Sequence, residues 1–192
     1  VNISVKNHMH GFENEFAHIR KEVSFEKAAS GFMVADPLTL YDCCPTSDGA
    51  SCVILAADHV VREFTDDPIW LKGSGAGSDH LALHDRHSIT QMSATQKAVA
   101  QAYKSSGVSA TDIDLAEVHD CFTIAELMAT EDLGFANRGE GGLFARQGRG
   151  RRNEGDVAIN PSGGLKSKGH PLGATGTGQA VEVFKQLKGT VE

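Results

Sequence analysis

One cluster of chemically capable side chains lies at residues 116–127, AEVHDCFTIAEL. It places an imidazole, a carboxylate and a thiol side by side at His119, Asp120 and Cys121. An apolar strand pattern leads into this cluster and a helical pattern leads out of it. The carboxyl ends of strands are where α/β sheets usually present reactive groups, so the cluster predicts a site for acid–base or nucleophilic chemistry.

A second cluster, NPSGGLKSKGHPLGATGTG at residues 160–178, surrounds His170 with glycines. Glycines allow positive φ angles and a close approach of the backbone, so this segment predicts a turn that brings main chain and one imidazole up to a ligand. A glycine-rich hairpin with an incidental surface histidine is the simpler account of His170 taken alone. The cluster at residues 116–127 favours the chemical interpretation.

Alternating strand and helix patterns must position these clusters. Helices are predicted at 93–107, with Ser93 as N-cap and Gly107 as its end, at 122–135, and at 179–187 with its apolar side chains facing inward. Apolar runs predict strands at 50–57, buried on both faces with Cys52 as a small buried hydrophobe, and also at 69–71, 113–118 and 157–159. Strands and helices in this order predict an α/β fold with a mostly parallel sheet.

Composition excludes several classes of protein. The net charge is −7 and the pI is near 5.7, which argues against a nucleic-acid binder. The four cysteines form no regular framework and are expected to be reduced thiols. No apolar run approaches the roughly 18 residues of a membrane span.

Three other polar groupings have simpler explanations than a binding site. His8 and His10 supply too few ligands for zinc, and a solvated amphipathic helix is preferred for residues 1–30. The spacing of His80, His84 and His87 would suit a metal site on a helix, but their flanking residues favour a surface loop. The arginine-rich stretch at 137–155 is interpreted as a solvated loop rather than a phosphate-binding surface.

NPSGG followed by GHPLGATG, with EVHDCF upstream, resembles the motifs of the thiolases. HDCF in place of the commoner NEAF is similar to the sterol-carrier-protein-type and archaeal thiolases, and DCCPTSDGASCVILA resembles the last strand of the family's N-domain. The resemblance implies the thiolase fold, with a mostly parallel or mixed sheet covered by helices in αβαβα layers. It also implies that residues 1–62 end the loop region and N-domain, and that residues 63–192 are a C-terminal domain without its final strands.

The resemblance also implies roles for individual residues. His170 corresponds to the base that deprotonates a nucleophilic cysteine, His119 to a donor near the acyl oxygen, and Cys121 to a proton shuttle at the α-carbon. The thiol suits that last role because its ordinary pKa lies closer to neutrality than that of a carboxylic acid or a lysine. Further contacts to the substrate are expected from Cys44, where the family has serine, from Phe122 as a pocket wall, and from Gly169.

The activity implied is that of an acetyl-CoA acyltransferase, which condenses acyl-CoA thioesters or cleaves β-ketoacyl-CoA by thiolysis. The family's acyl-accepting cysteine would precede residue 1, so residues 1–192 alone are expected to be inactive. Coenzyme A enters as substrate, and neither a metal nor another cofactor is expected. A homo-oligomer in the cytoplasm is expected, or in peroxisomes or mitochondria of a eukaryote.

Two alternative functions remain open. One is a thiolase-like aldolase or synthase subunit partnered by a zinc-ribbon and OB-fold protein. Such aldolases resemble thiolases but place tyrosines where this sequence keeps His119 and His170. The other is a non-catalytic carrier of acyl-CoA or lipid, in which an intact set of two histidines and a cysteine would have no purpose.

Overall fold

A computed structural model describes residues 1–191 of the chain. Within them the helices are α1 (Asn2–Glu13), α2 (Phe25–Ala29), α3 (Asp58–Val61), α4 (Ser93–Ser106), α5 (Thr123–Asp132), α6 (Gly141–Arg146), α7 (Gly164–Ser167) and α8 (Thr175–Leu187). The strands are β1 (Met33–Ala35), β2 (Leu38–Thr39), β3 (Leu115–Ala116) and β4 (Ala158–Ile159). Short 3-10 turns occupy Leu40–Asp42, Leu83–Asp85 and Ala110–Asp112.

The strands form two small sheets of opposite type. β1 and β2 make an antiparallel hairpin, whereas β3 and β4 pair in parallel, with Leu115 opposite Ala158 and Ala116 opposite Ile159. Helices α5 and α6 lie between β3 and β4 in the sequence, as a parallel connection requires. The α/β class predicted from the order of elements is therefore confirmed.

A small apolar core packs beside the parallel pair. Its buried members are Val118, Ala129, Phe144, Val157 and Ile159. They come from the end of β3, from α5, from α6 and from β4, so burial of their side chains fastens both helices to the sheet.

Two of the helices around this core were predicted correctly from sequence patterns, apart from their exact ends. The structure has α4 and α5 close to their predicted bounds, each followed by a glycine with positive φ, Gly107 at 75° and Gly134 at 85°. The predicted Ser93 cap is wrong. The helix begins after Met92, whose N–H donates to Asp132 Oδ2 at 2.9 Å, so a carboxylate from α5 satisfies this end of α4.

The arginine-rich stretch contains a helix that the patterns did not predict. Helix α6 lies within it, and its buried Phe144 belongs to the apolar core. The arginines after α6 pair with carboxylates of the same chain. Arg149 lies 2.5 Å from Asp156, and Arg151 lies 3.4 Å from Glu154.

The predicted strands at 50–57 and 69–71 are wrong within the described residues. No strand forms there, and the exposed fractions of Ile54 and Leu71 are 90% and 75%. Cys52 is exposed rather than buried. An apolar run forms a strand only when neighbouring strands accept and donate its backbone hydrogen bonds, and no neighbour for these runs lies among residues 1–191.

The last helix also exposes apolar side chains that were predicted to be buried. Helix α8 begins earlier, at Thr175, and its Phe184 and Leu187 are 47% and 56% exposed rather than turned inward. Thr175 and Glu182 are its buried residues instead. No element of the described chain covers the apolar face of α8.

None of the helices in residues 1–191 is long and apolar enough to span a membrane.

Helix α1 is buried, which corrects the expectation of a solvated amphipathic helix. Its polar side chains point inward, with Lys6, Asn7, His8 and His10 between 0% and 7% exposed. Lys6, Asn7 and His10 find partners inside, whereas the Nδ1 of His8 is buried without a hydrogen-bond partner among residues 1–191. The Lys6 ammonium lies 3.1 Å from the Glu126 carboxylate of α5. It also donates to the Ile159 carbonyl of β4 at 2.5 Å.

Helix α1 packs so closely on the glycine-rich segment that no side chain fits between the two backbones at Gly11 and Gly163. A Cβ on Gly11 would lie 2.2 Å from Ser167 Oγ of α7, and a Cβ on Gly163 would lie 2.6 Å from the Gly11 Cα. Gly163 also has a φ of 98°, which side chains rarely tolerate. Gly163 of NPSGG therefore allows the glycine-rich segment to pack directly against α1.

His10, on the buried face of α1, has a hydrogen-bond partner at each ring nitrogen. Its Nδ1 lies 2.9 Å from the Asn160 carbonyl, and the Arg152 backbone N–H donates to its Nε2 at 3.1 Å. The carbonyl accepts only from an N–H, so the ring is neutral with its proton on Nδ1. Burial and, after it, the Lys6 charge lower the pKa of His10 to about 3.

We expect His10 to destabilise the protein in acid. A depressed histidine pKa contributes stability at pH values above 6.5, and this stability is lost as the pH falls from 6.5 towards 3. Denaturant unfolding across that range should show His10→Gln losing less free energy of unfolding than the wild type, by about 1.4 kcal/mol per pH unit at most. His84→Gln, at an exposed imidazole, is the control. Parallel pH profiles for the wild type and His10→Gln would contradict the assignment.

Candidate active site

Asn160 fixes the HDCF cluster against the start of the glycine-rich segment. Its side-chain oxygen accepts the Val118 N–H at 2.8 Å, and its amide donates to Glu126 Oε2 at 2.8 Å. The residue is fully buried and has a φ of 53°. Asparagine tolerates that left-handed conformation better than most side chains. The asparagine of NPSGG therefore holds the chain just before His119.

Asp120 makes the second connection between the two clusters. Its carboxylate accepts the backbone N–H of Leu165 at 2.7 Å and that of Lys166 at 3.4 Å, and it accepts from the Asn7 side chain at 2.7 Å. A Cβ on Gly164 would lie 2.5 Å from this carboxylate. Burial and, second, the Glu126 carboxylate raise the pKa of Asp120 to about 7. Asp120 is thus a structural anchor between two candidate reactive neighbours.

Glu117 also ties the same two segments together. It accepts the Ser162 N–H at 3.0 Å and the Ser162 hydroxyl at 2.9 Å, and it lies 3.4 Å from the Lys168 ammonium. Burial raises the pKa of Glu117. The segment preceding His170 is therefore held by carboxylates at positions 117 and 120.

These connections bring the two predicted histidines into contact. The rings of His119 and His170 meet edge to face, with centroids 4.8 Å apart and an interplanar angle of 84°. Burial and, after it, the His170 ring lower the pKa of His119. A lowered pKa favours the neutral imidazole of His119, which can donate one N–H without adding charge beside His170.

A hydroxyl orients His170. Its Nδ1 lies 2.7 Å from Thr175 Oγ1, and that hydroxyl donates to the Pro171 carbonyl at 3.1 Å. Since the hydroxyl proton is used on the carbonyl, Thr175 accepts from the Nδ1–H of His170. The arrangement leaves Nε2 with its lone pair, which is the form needed of a general base.

Segment 43–47, CCPTS, lies along both clusters. Cys43 forms an antiparallel bridge with Phe122, and Thr46 forms a parallel bridge with His170. Cys44 is placed beside Cys121, because its N–H donates to the Cys121 carbonyl at 3.0 Å. Burial raises the pKa of the Cys121 thiol. Cys121 is therefore a protonated thiol at neutral pH.

A cleft of about 780 Å³ opens next to His170. Its lining includes Ser47, Gly169, Pro171 and Thr175. Ser47 Oγ accepts the His170 N–H at 3.3 Å and lies 2.7 Å from His18 Nδ1. A Cβ on Gly169 would lie 2.6 Å from this hydroxyl, so glycine is required for the close approach.

The six predicted site residues thus fall into two neighbouring groups. His119 and His170 share a ring contact, and Gly169 flanks the cleft. Cys44 lies beside Cys121, followed by Phe122, whose side chain is 42% exposed and therefore not part of the core. Their roles with a substrate remain predictions.

The sequence patterns do not predict Thr175 as a site residue, because they place the start of the last helix at residue 179; a hydroxyl five residues after His170 is the available signal. They include Asp120 in the first cluster but not its anchoring of residues 165 and 166, which is a contact distant in sequence. In residues 1–191 no group of three or more metal-ligating side chains is found, and His80, His84 and His87 lie in an exposed loop.

The fold has a solved counterpart. The chain superposes on the structure titled "Ltp2-ChsH2(DUF35) aldolase" with a TM-score of 0.85, at 24% identity, over 96% of this chain and 48% of that one. At this identity the likeness establishes the fold alone.

Comparison of sequences gives the family. The profile of the "Thiolase C-terminal domain-like" family matches residues 75–192. Acetyl-CoA acetyltransferase of Methanothermobacter thermautotrophicus is 49% identical over 97% of this chain and 49% of its own length. Sterol carrier protein 2 of Oryctolagus cuniculus is 38% identical over 97% of this chain and 35% of its own length. The chain belongs to the thiolase family. It spans about half the length of the acetyl-CoA acetyltransferase and 35% of the length of sterol carrier protein 2.

We expect Thr175→Val to release the His170 ring. Valine keeps the shape but removes the acceptor, so the Nδ1–H tautomer loses its partner. In ¹⁵N spectra of the imidazoles, His170 should show the Nδ1–H tautomer in the wild type and a mixture in the variant. Any reaction that uses Nε2 as base should slow about tenfold, the value of one hydrogen bond.

Thr177→Val, two residues further along α8, is the matched control. An unchanged His170 tautomer in Thr175→Val would show that the hydroxyl does not orient the ring.

Proposed function

We propose that the protein containing this chain is a thiolase acting on acyl-CoA thioesters, an acetyl-CoA acyltransferase. The observation that carries the proposal is the contact of His119 with His170, the latter oriented by Thr175. Thioester exchange needs a base for a thiol nucleophile and a donor for the carbonyl oxygen. The pair can supply both, with Nε2 of His170 as the base and an N–H of His119 as the donor.

In this proposal the carbon–carbon step uses Cys121. A cysteine outside residues 1–192 loses its proton to His170 and attacks the β-keto carbonyl of the substrate. The bond between the α and β carbons breaks, the acyl group stays on that sulfur, and the Cys121 thiol protonates the departing α-carbon to give acetyl-CoA. The raised pKa of Cys121 keeps its proton available at neutral pH. Cys121 then recovers a proton from His170. Coenzyme A takes the acyl group, and its thiol proton passes through His170 to the released nucleophile.

Coenzyme A is a substrate in this scheme, and no step needs a metal. We propose a cytoplasmic homo-oligomer, or an organellar one in a eukaryote. The aldolase or synthase role with a zinc-ribbon and OB-fold partner is the second candidate for a protein of this fold. The retained imidazole pair favours the thiolase, and the same pair argues against a non-catalytic carrier.

The acyl-enzyme is the first test. Brief exposure of the full-length protein to acetyl-CoA should leave one acetyl group on a cysteine, which mass spectrometry of the digested protein will locate outside residues 1–192. Residues 1–192 alone should neither acquire the group nor cleave acetoacetyl-CoA. Turnover by residues 1–192 would contradict the assignment of the nucleophile.

The role of Cys121 is tested by separating the two half-reactions. We expect Cys121→Ser to lower the cleavage of acetoacetyl-CoA by about 10²- to 10⁴-fold, the usual contribution of an acid–base group. Acetyl exchange between acetyl-CoA and free coenzyme A should persist, since it breaks no carbon–carbon bond. His170→Ala should lower both rates, and Cys43→Ser is the control. Equal loss of both rates in Cys121→Ser would assign Cys121 to thioester exchange instead.

A further inference from the structure

Cys44 and Cys121 face each other across a short antiparallel pairing. The bridge between Cys43 and Phe122 sets the register, which places Cys44 directly opposite Cys121. The Cys44 N–H donates to the Cys121 carbonyl at 3.0 Å. Residues opposite each other in a hydrogen-bonded antiparallel pair have Cα atoms about 5.5 Å apart, with side chains on the same face. That Cα separation falls within the roughly 4.4–6.8 Å range of natural disulfides. The Cβ atoms of such a hydrogen-bonded pair lie about 5.5 Å apart, beyond the roughly 3.5–4.5 Å usual for a disulfide, so closure must draw the two segments together.

The other two cysteines are excluded by direction and distance along the fold. The Cys43 thiol donates to the Thr39 carbonyl at 3.5 Å, so it points away from Cys121. This follows from the extended backbone, in which successive side chains point to opposite faces. Cys52 lies in the exposed run at 50–57. Among the four cysteines, the backbone therefore aligns Cys44 with Cys121.

The electrostatics agree with this proximity. Burial and, second, the charge of the Cys121 thiolate raise the pKa of Cys44, and Asp120 adds to the effect while Lys166 opposes it. Both residues are half-buried, which leaves them open to small oxidants.

We propose that Cys44 and Cys121 are a reversible oxidation site that closes to an intramolecular disulfide. With a hydroperoxide as oxidant, one thiolate attacks the O–O bond and becomes a sulfenic acid, releasing water or an alcohol. The second thiol then attacks that sulfur, the S–S bond forms, and a water molecule leaves. A low-molecular-weight dithiol reverses the step by thiol–disulfide exchange.

Closure of this disulfide removes the Cys121 proton. The disulfide itself does not depend on the proposed activity, but its effect on turnover does, because that effect assumes Cys121 as the proton donor. Oxidation should then stop carbon–carbon cleavage and leave acetyl exchange less affected. Formation of the disulfide should accelerate as the pH rises above neutrality, because the raised pKa of each thiol limits the thiolate at pH 7.

The experiment maps the bond in the full-length protein. The reduced protein is treated with hydrogen peroxide under native conditions, free thiols are alkylated, and the digest is examined by mass spectrometry. We expect a cross-linked peptide pair containing residues 44 and 121, lighter than the sum of its parts by two hydrogen atoms and lost after dithiothreitol. Cys43→Ser should keep the link, whereas Cys44→Ser and Cys44→Ala should lose it and drive Cys121 to irreversible sulfinic acid.

The outcomes separate this site from the proposed activity. A link that persists in Cys44→Ser, or peroxide that yields only sulfinic acid on the wild type, would overturn the disulfide. A mapped Cys44–Cys121 link with unchanged acetoacetyl-CoA cleavage would support the oxidation site and overturn the role proposed for Cys121. Loss of cleavage that dithiothreitol restores, in step with the link, supports both.

Discussion

The structure depends on a buried network of polar groups that must all find partners. Glu126 lies at its centre, where one oxygen accepts from the side chains of Asn7 and Asn160 at 2.8 Å each and the other lies 3.1 Å from Lys6. A buried polar group left unpaired costs about 1–3 kcal/mol, so each member constrains the next. This requirement, more than the small apolar core, fixes where HDCF and NPSGG meet.

The network explains why distant parts of the sequence are needed at one site. Helix α1 supplies amide and ammonium donors, α5 supplies the carboxylate, and Gly164 at the start of α7 allows the backbone close enough to be bound by Asp120. Polar networks in a low-dielectric interior specify one arrangement because partial satisfaction is costly. The two imidazoles lie at the edge of this network, and its arrangement brings them into edge-to-face contact.

The sequence predicted the elements whose signals are local. Helices α4 and α5 followed from periodicity, and the order of strands and helices implied parallel strands such as β3 and β4. The expectation that His119 and His170 serve one site came from a specific pair of motifs rather than from a local signal. The sequence patterns failed where the outcome depends on distant partners. The burial of the polar face of α1, the cap of α4 by Asp132 and the exposed runs near Ile54 and Leu71 are all decided by which other segment is adjacent. No single-segment pattern contains that information.

The segments around residues 119 and 170 converge so that their imidazoles touch. Nuclear Overhauser spectroscopy on protein labelled selectively at histidine measures this contact directly, with His119→Gln and His170→Gln used to assign the two rings. The account predicts a cross-peak between ring protons of His119 and His170, lost in either variant. Assigned rings with no cross-peak between them would contradict it.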